Sequence, residues 1–185
     1  WRYSVSEAMF KQQVKLIKHT RVPISMDDLL LYLSGKKVIN QLSFVLTFDD
    51  GYKSILKVSD FLHSQGITPC AFVLSDPQGA NRQELGTDEA IFSLKELPQL
   101  VKAGWNVGSH SATHANFANL NLASAQVEIA GSKRTLEQAL STKIKYFALP
   151  RGNHNSHVDR VVKQSGYALC LTMDDTLLSD TTSPL

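Results

Sequence analysis

Four side chains able to do metal and acid–base chemistry fall in two short segments, Asp49-Asp50-Gly51 and His110-Ser111-Ala112-Thr113-His114. The two carboxylates follow Leu42 to Phe48, an apolar, β-branched and aromatic run that reads as one buried strand. Side chains alternate along a strand, so Asp49 and Asp50 point to different sides and do different jobs rather than share one proton. The His-x-x-x-His spacing places two imidazoles one turn apart on a helix, or together on a tight loop, so that both can reach one ion. Two His and one Asp form the mixed donor set that Zn²⁺ accepts, and three protein ligands leave room for water and substrate. Co, Ni, Fe or Mn would suit the same donors. A divalent ion there would polarise a carbonyl and acidify a water, and a neighbouring unligated carboxylate could take the proton. With a backbone N–H to hold the tetrahedral oxyanion, this is the hydrolysis of an amide or ester. Each segment also has a plainer reading: Asp-Gly is a common turn pair, and a lone His-x-x-x-His occurs incidentally.

The elements around these segments alternate strand and helix. Ser6 caps a first helix carrying Met9, Phe10, Val14, Leu16 and Ile17, and the stretch Ile24 to Leu33 suggests a second, with Ser25 as N-cap and Gly35 as a stop. After the strand that ends at Asp49, a helix runs through Ile55, Val58, Phe61 and Leu62 to Gly66. Further strands are expected at Pro69 to Leu74, Trp105 to Ser109, Lys145 to Leu149 and Tyr167 to Met173. Further helices are expected at Ser93 to Ala103, Ala123 to Leu140 and Val158 to Gln164. The Ala123 to Leu140 helix would carry Val127, Ile129, Leu136 and Leu140 on one side. A polar loop covers Ser75 to Ala90. This order predicts an α/β fold with parallel strands and right-handed crossovers, a distorted, incomplete barrel rather than an open doubly wound sheet. The candidate residues all follow strands, and in such folds the C-terminal strand ends share one opening.

Composition narrows the classes further. The chain has 185 residues, 43% hydrophobic and 19% charged, with a formal net charge of +2. That suits one domain with a sizeable core. The charge is too small, and too free of Lys/Arg runs, to argue for nucleic acid. No stretch is long and apolar enough to span a membrane. Cys70 and Cys170 sit in apolar runs and read as buried free thiols, with a disulfide as the alternative. The start at Trp1, in mid-pattern, fits a piece of something longer. His154 and His157 read as a surface loop or a substrate contact, and His19 and His63 as surface or structural groups. Asp174-Asp175 reads as either cleft lining or an exposed turn. There is no nucleophile elbow, phosphate loop or dinucleotide fingerprint.

Taken together, the motifs resemble those of the polysaccharide deacetylases (carbohydrate esterase family 4, the NodB-homology domain). Thr47-Phe48-Asp49-Asp50-Gly51 is similar to the first motif, and His110-Ser111-Ala112-Thr113-His114 to the second. Phe147-Ala148-Leu149-Pro150-Arg151-Gly152 is similar to the third, in the form found in the poly-β-1,6-N-acetylglucosamine deacetylase branch. The likeness runs roughly from Ser4 to Asp175 and implies a distorted (β/α) barrel of fewer than eight units, with residues 1–185 as one domain open to truncation at both ends. It implies Asp49 as catalytic base, and Asp50, His110 and His114 as ligands of one divalent metal, Zn²⁺ first. Arg151 takes the place whose backbone N–H helps bind the oxyanion. Ser111 and Thr113 support the loop, and Pro150, His154 and Asn155 are candidate substrate contacts.

Two family features are missing: Ala148 stands where many members carry an Arg that orients the base, and the late Leu-x-x-His motif that supplies the general acid is not visible. The implied activity is removal of N-acetyl groups from an N-acetylglucosamine-containing polysaccharide, by analogy in the periplasm or cell envelope, with oligomeric state open. O-deacetylation of a xylan-like polymer and a carbohydrate-binding pseudoenzyme are the rival readings.

Overall fold

A computed structural model of the chain describes residues 5–85 and 88–173. Helix α1 (Glu7–Lys18) begins where the Ser6 hydroxyl accepts the Met9 amide at 3.2 Å. Glu7 in its first turn and Lys15 and Lys18 in its last oppose the helix dipole favourably. The chain then forms strand β1 (Val22–Pro23), which the sequence did not announce, and helix α2 (Met26–Leu33). A reciprocal box between Ser25 and Asp28 opens α2, and Gly35, at φ +70°, closes it.

The expected single strand from Leu42 to Phe48 is two. Strand β2 (Ser43–Phe44) pairs in parallel with β1, and strand β3 (Thr47–Phe48) pairs with Cys70–Ala71. Residues 43–48 are all half-buried, and the two ends of the run find different partners, so one apolar stretch serves two sheets. A 3₁₀ turn (Lys53–Val58) runs into helix α3 (Ser59–Ser64), and Gly66 ends it at φ +70°. Strand β4 (Cys70–Val73) follows. The polar loop after β4 contains a short helix, α4 (Arg82–Leu85). Helix α5 (Pro98–Lys102) is shorter than expected: Glu96 accepts the backbone N–H and hydroxyl of Ser93, closing a separate turn ahead of Pro98.

Strand β5 (Asn106–Ser109) leads to the histidine segment. The long helix expected over Ala123 to Leu140 is broken into α6 (Leu122–Gln126), a π-helical turn (Val127–Gly131) and α7 (Ser132–Leu140). Its buried stripe is Ala125, Glu128, Ile129, Ser132 and Leu136, whereas Val127 is 65% exposed. Strand β6 (Tyr146–Ala148), helix α8 (Ser156–Gln164) and strand β7 (Leu169–Leu171) complete the described chain. Asp174 and Asp175 lie outside the described residues.

The main sheet has the order β3-β4-β5-β6-β7, all parallel. Strand order follows sequence order without the reversal that defines a doubly wound sheet, so the strands form part of a barrel wall, as expected. Alternation along the strands sorts the core into two faces. Ala71, Val73, Val107 and Phe147 pack with Leu62, Leu100, Ile129, Leu136 and Val161 from the helices. Cys70, Phe72, Tyr146 and Ala148 pack instead with Met26 and Leu29 of α2. Both faces are covered, which is why the strands read as continuous apolar runs. Gly108 is required at the centre: a Cβ there would lie 2.5 Å from the Phe72 ring. Cys70 and Cys170 are free thiols, Cys70 fully buried and Cys170 partly so.

Candidate metal centre and active site

Asp50 follows β3 and His110 follows β5, at the same end of the two parallel strands that flank β4. Nε2 of His110 and Nε2 of His114 each lie 3.6 Å from the same Asp50 oxygen, Oδ1, and the two rings sit 5.2 Å apart. Among the described residues these three form the single group of donor atoms able to surround one cation.

The fit to a metal rests on two observations. Asp50 Oδ1 is buried without a hydrogen-bond partner, and 3.6 Å is too long for a hydrogen bond to either imidazole. Ligands about 2.0–2.1 Å from a tetrahedral ion stand roughly 3.4 Å from each other, close to this spacing. The donor chemistry and the geometry both suit a divalent ion.

The imidazole of His110 has a fixed tautomer. Its Nδ1 lies 2.9 Å from the carbonyl oxygen of Ala148, which can only accept, so Nδ1 carries the hydrogen and Nε2 offers a lone pair. Burial pushes the His110 pKa down to about 4, against the opposing pull of Asp50, so the ring stays neutral and competent to ligate at neutral pH.

Asp49 has surface open to solvent, yet the protein packed around its carboxyl pushes the pKa up, against the smaller lowering influence of His114. A raised carboxyl pKa moves a general base toward working pH. Tyr52, which sequence reasoning passed over, is buried beside Asp50. Burial first, and then the charge of Asp50 and a hydrogen bond to it, hold its phenol above the ordinary range. The signal was available: a buried Tyr hydroxyl right after Asp-Asp-Gly needs a partner.

The histidine segment is a tight loop rather than a helix. The Ser111 hydroxyl accepts the His114 amide at 2.9 Å. The loop is tied to the residues after β4, where the Ser75 and Asp76 amides donate to the carbonyls of Ser111 (3.2 Å) and Ala112 (2.9 Å). Of the five non-glycine residues with positive φ among the described residues, four stand here: Asp50 (65°), Ser111 (76°), His114 (61°) and Arg151 (60°). Left-handed backbone of this kind clusters at functional sites.

The third segment follows β6. Pro150 is buried and Arg151 is exposed on a 3₁₀ turn. His154 is exposed, with Nδ1 2.7 Å from Asp159. The Asn155 side chain caps α8, accepting the amides of His157 and Val158, and donates to carbonyls of Phe117, Ala118 and Leu120 at 3.2–3.3 Å. That side chain holds the loop architecture. His19 and His63 are exposed, away from the metal group.

The sequence profile of the polysaccharide deacetylase family matches residues 36–170, and the chain belongs to that family. Among solved structures, the deacetylase domain of BpsB from Bordetella bronchiseptica is 18% identical at TM-score 0.79, covering 98% of this chain and 82% of that one. IcaB from Ammonifex degensii is 23% identical at TM-score 0.79, covering 94% and 78% respectively. The Streptococcus pyogenes deacetylase PplD, in complex with acetate, is 20% identical at TM-score 0.74, covering 89% and 71%. At these identities the likeness establishes the fold. No curated protein sequence matches the chain. No described helix is long and apolar enough to cross a membrane.

Proposed function

We propose that this chain is a metal-dependent hydrolase that removes N-acetyl groups from an N-acetylglucosamine-containing polysaccharide. The observation that carries the reading is the buried, unpartnered Asp50 Oδ1 facing Nε2 of both His110 and His114 at 3.6 Å. These three residues would hold one divalent ion, Zn²⁺ by preference. When bound, such an ion supplies Lewis-acid polarisation of the acetyl carbonyl and a water of lowered pKa. Asp49, whose carboxyl is held above its ordinary pKa, takes the proton from the attacking water. The backbone N–H of Arg151 helps hold the oxyanion, and Pro150 and His154 border the sugar. The form of the Phe147 to Gly152 motif supports a β-linked amino-sugar polymer over acetylated xylan.

The test is acetate release from N-acetylglucosamine oligomers and from acetylated xylan, using metal-replete protein whose metal content is measured. The expected result is acetate from the amino-sugar oligomers. Acetate from xylan alone would make the chain an O-esterase, and sugar binding without any acetate would make it a carbohydrate-binding module.

A further inference from the structure

We propose that Glu128 is a positioning residue that clamps the loop carrying both histidines, and that it does so from the π-helical turn. The proposal deepens the metal reading above and rests on it for its functional consequence. Glu128 is 8% exposed, and a carboxylate so placed needs partners. Its partners are donors from one loop: the amides of Ala112 (3.0 Å) and Thr113 (2.9 Å) converge on Oε2, and the Thr113 hydroxyl reaches Oε1 at 2.7 Å. Consecutive amides converging on one anionic oxygen fix the backbone between them. That backbone lies between Ser111 and His114, the two loop residues with left-handed φ. Neither residue favours that conformation alone, so an outside anchor must hold it.

The same helical segment supplies a second anchor. The Ser132 hydroxyl donates to the Ser111 carbonyl at 3.0 Å, which leaves Ser109 as donor to Ser132 at 2.7 Å. The π turn is itself braced, because the Tyr167 hydroxyl donates to the Ile129 carbonyl at 3.1 Å. Irregular helical turns of this kind are frequent at functional sites. Here the turn carries the clamp. Removing the carboxylate leaves the amides of Ala112 and Thr113 without that acceptor and loosens the loop, so Nε2 of His110 and His114 are held less firmly against Asp50 Oδ1.

The experiment compares wild type, Glu128→Ala, Glu128→Gln and Thr113→Val. Zinc affinity is measured by competition with a chromophoric chelator, and amide hydrogen exchange at residues 112 and 113 is measured in the metal-free chain. Glu128→Ala should weaken zinc roughly 10–100-fold and speed exchange at Ala112 and Thr113 while β4 stays protected. Glu128→Gln, which keeps a carbonyl acceptor, should recover most of both effects. Thr113→Val, which deletes one donor, should cost about fivefold in affinity and decides the matter if Glu128→Ala does not fold. Wild-type zinc affinity in Glu128→Ala, or in Thr113→Val where that stands in, overturns the proposal, as does a Glu128→Gln chain as impaired as Glu128→Ala. If wild type takes up no zinc, the metal reading fails by itself. The exchange arm still decides the clamp, since unchanged exchange at 112 and 113 in Glu128→Ala, or in Thr113→Val where that stands in, overturns it.

Discussion

The Nδ1–H of His110 donates to the main-chain carbonyl of Ala148 across 2.9 Å, and that bond decides which ring nitrogen faces Asp50. Because the acceptor is backbone, the tautomer does not depend on which side chain occupies position 148. The Ala148 methyl is free to pack with Phe72 and Met26. An orienting guanidinium is thereby absent from this position, and the pKa of Asp49 is raised chiefly by burial.

Metal uptake should follow the Asp50 group. Asp50→Ala is expected to lose at least 100-fold in zinc affinity. In wild type, zinc at 100 times its dissociation constant should raise the melting temperature by roughly 5–10 °C. Differential scanning fluorimetry with and without chelator reads both. An unchanged melting temperature in Asp50→Ala with added zinc is the expected pattern, and a wild-type shift there would remove Asp50 from the ligand set.

Asp49→Asn separates ligation from proton transfer. The variant should retain stoichiometric metal by elemental analysis and lose about 10²- to 10⁴-fold in kcat. Full turnover would refute Asp49 as base.

Acid should destabilise the metal-free chain through His110. Its pKa falls from 6.5 in the unfolded chain to about 4 in the fold. Between those values the unfolded chain binds the extra proton, so stability rises with pH in that window. The contribution is complete above pH 6.5 and is lost as pH falls toward 4. Urea unfolding at pH 7 and pH 5 should show a lower midpoint at pH 5, and a smaller drop in His110→Gln.

Gly108→Ala should destabilise the sheet without touching the metal group. The new methyl would meet the Phe72 ring at 2.5 Å and the Tyr146 carbonyl at 3.1 Å. Overpacking of this kind costs about 1–3 kcal/mol. Equilibrium unfolding measures it, and an unchanged free energy would mean that the β4–β6 layer gives way more easily than its packing suggests.

The sequence made the strand-end motifs legible because residue type and spacing carry their chemistry directly: Asp49, Asp50, His110 and His114 lie where parallel strands open. Helix ends marked by Ser6, Ser25, Gly35 and Gly66 were readable for the same local reason. Tertiary choices were not. The run Leu42 to Phe48 looks uniformly strand-like, and only its partners reveal that it serves two sheets. The π turn at Val127–Gly131 hid Glu128. Counting Val127 as core drew attention from the real stripe, in which Glu128 and Ser132 share the face of Ile129 and Leu136. Polar residues on a buried stripe were the clue, and they needed only the right helical register to be seen.

The left-handed residues at the mouth leave the chain in an evolutionary bind. Ser111, His114 and Arg151 each hold a backbone twist that costs an L-residue on the order of 1 kcal/mol, against a typical total stability of about 5–15 kcal/mol. Laboratory selection for heat resistance alone would relieve that cost by admitting glycine at 111 and 114. A glycine at 114 would take one imidazole away from the Asp50, His110 and His114 group, so the sturdier survivors would have two donors where three now meet.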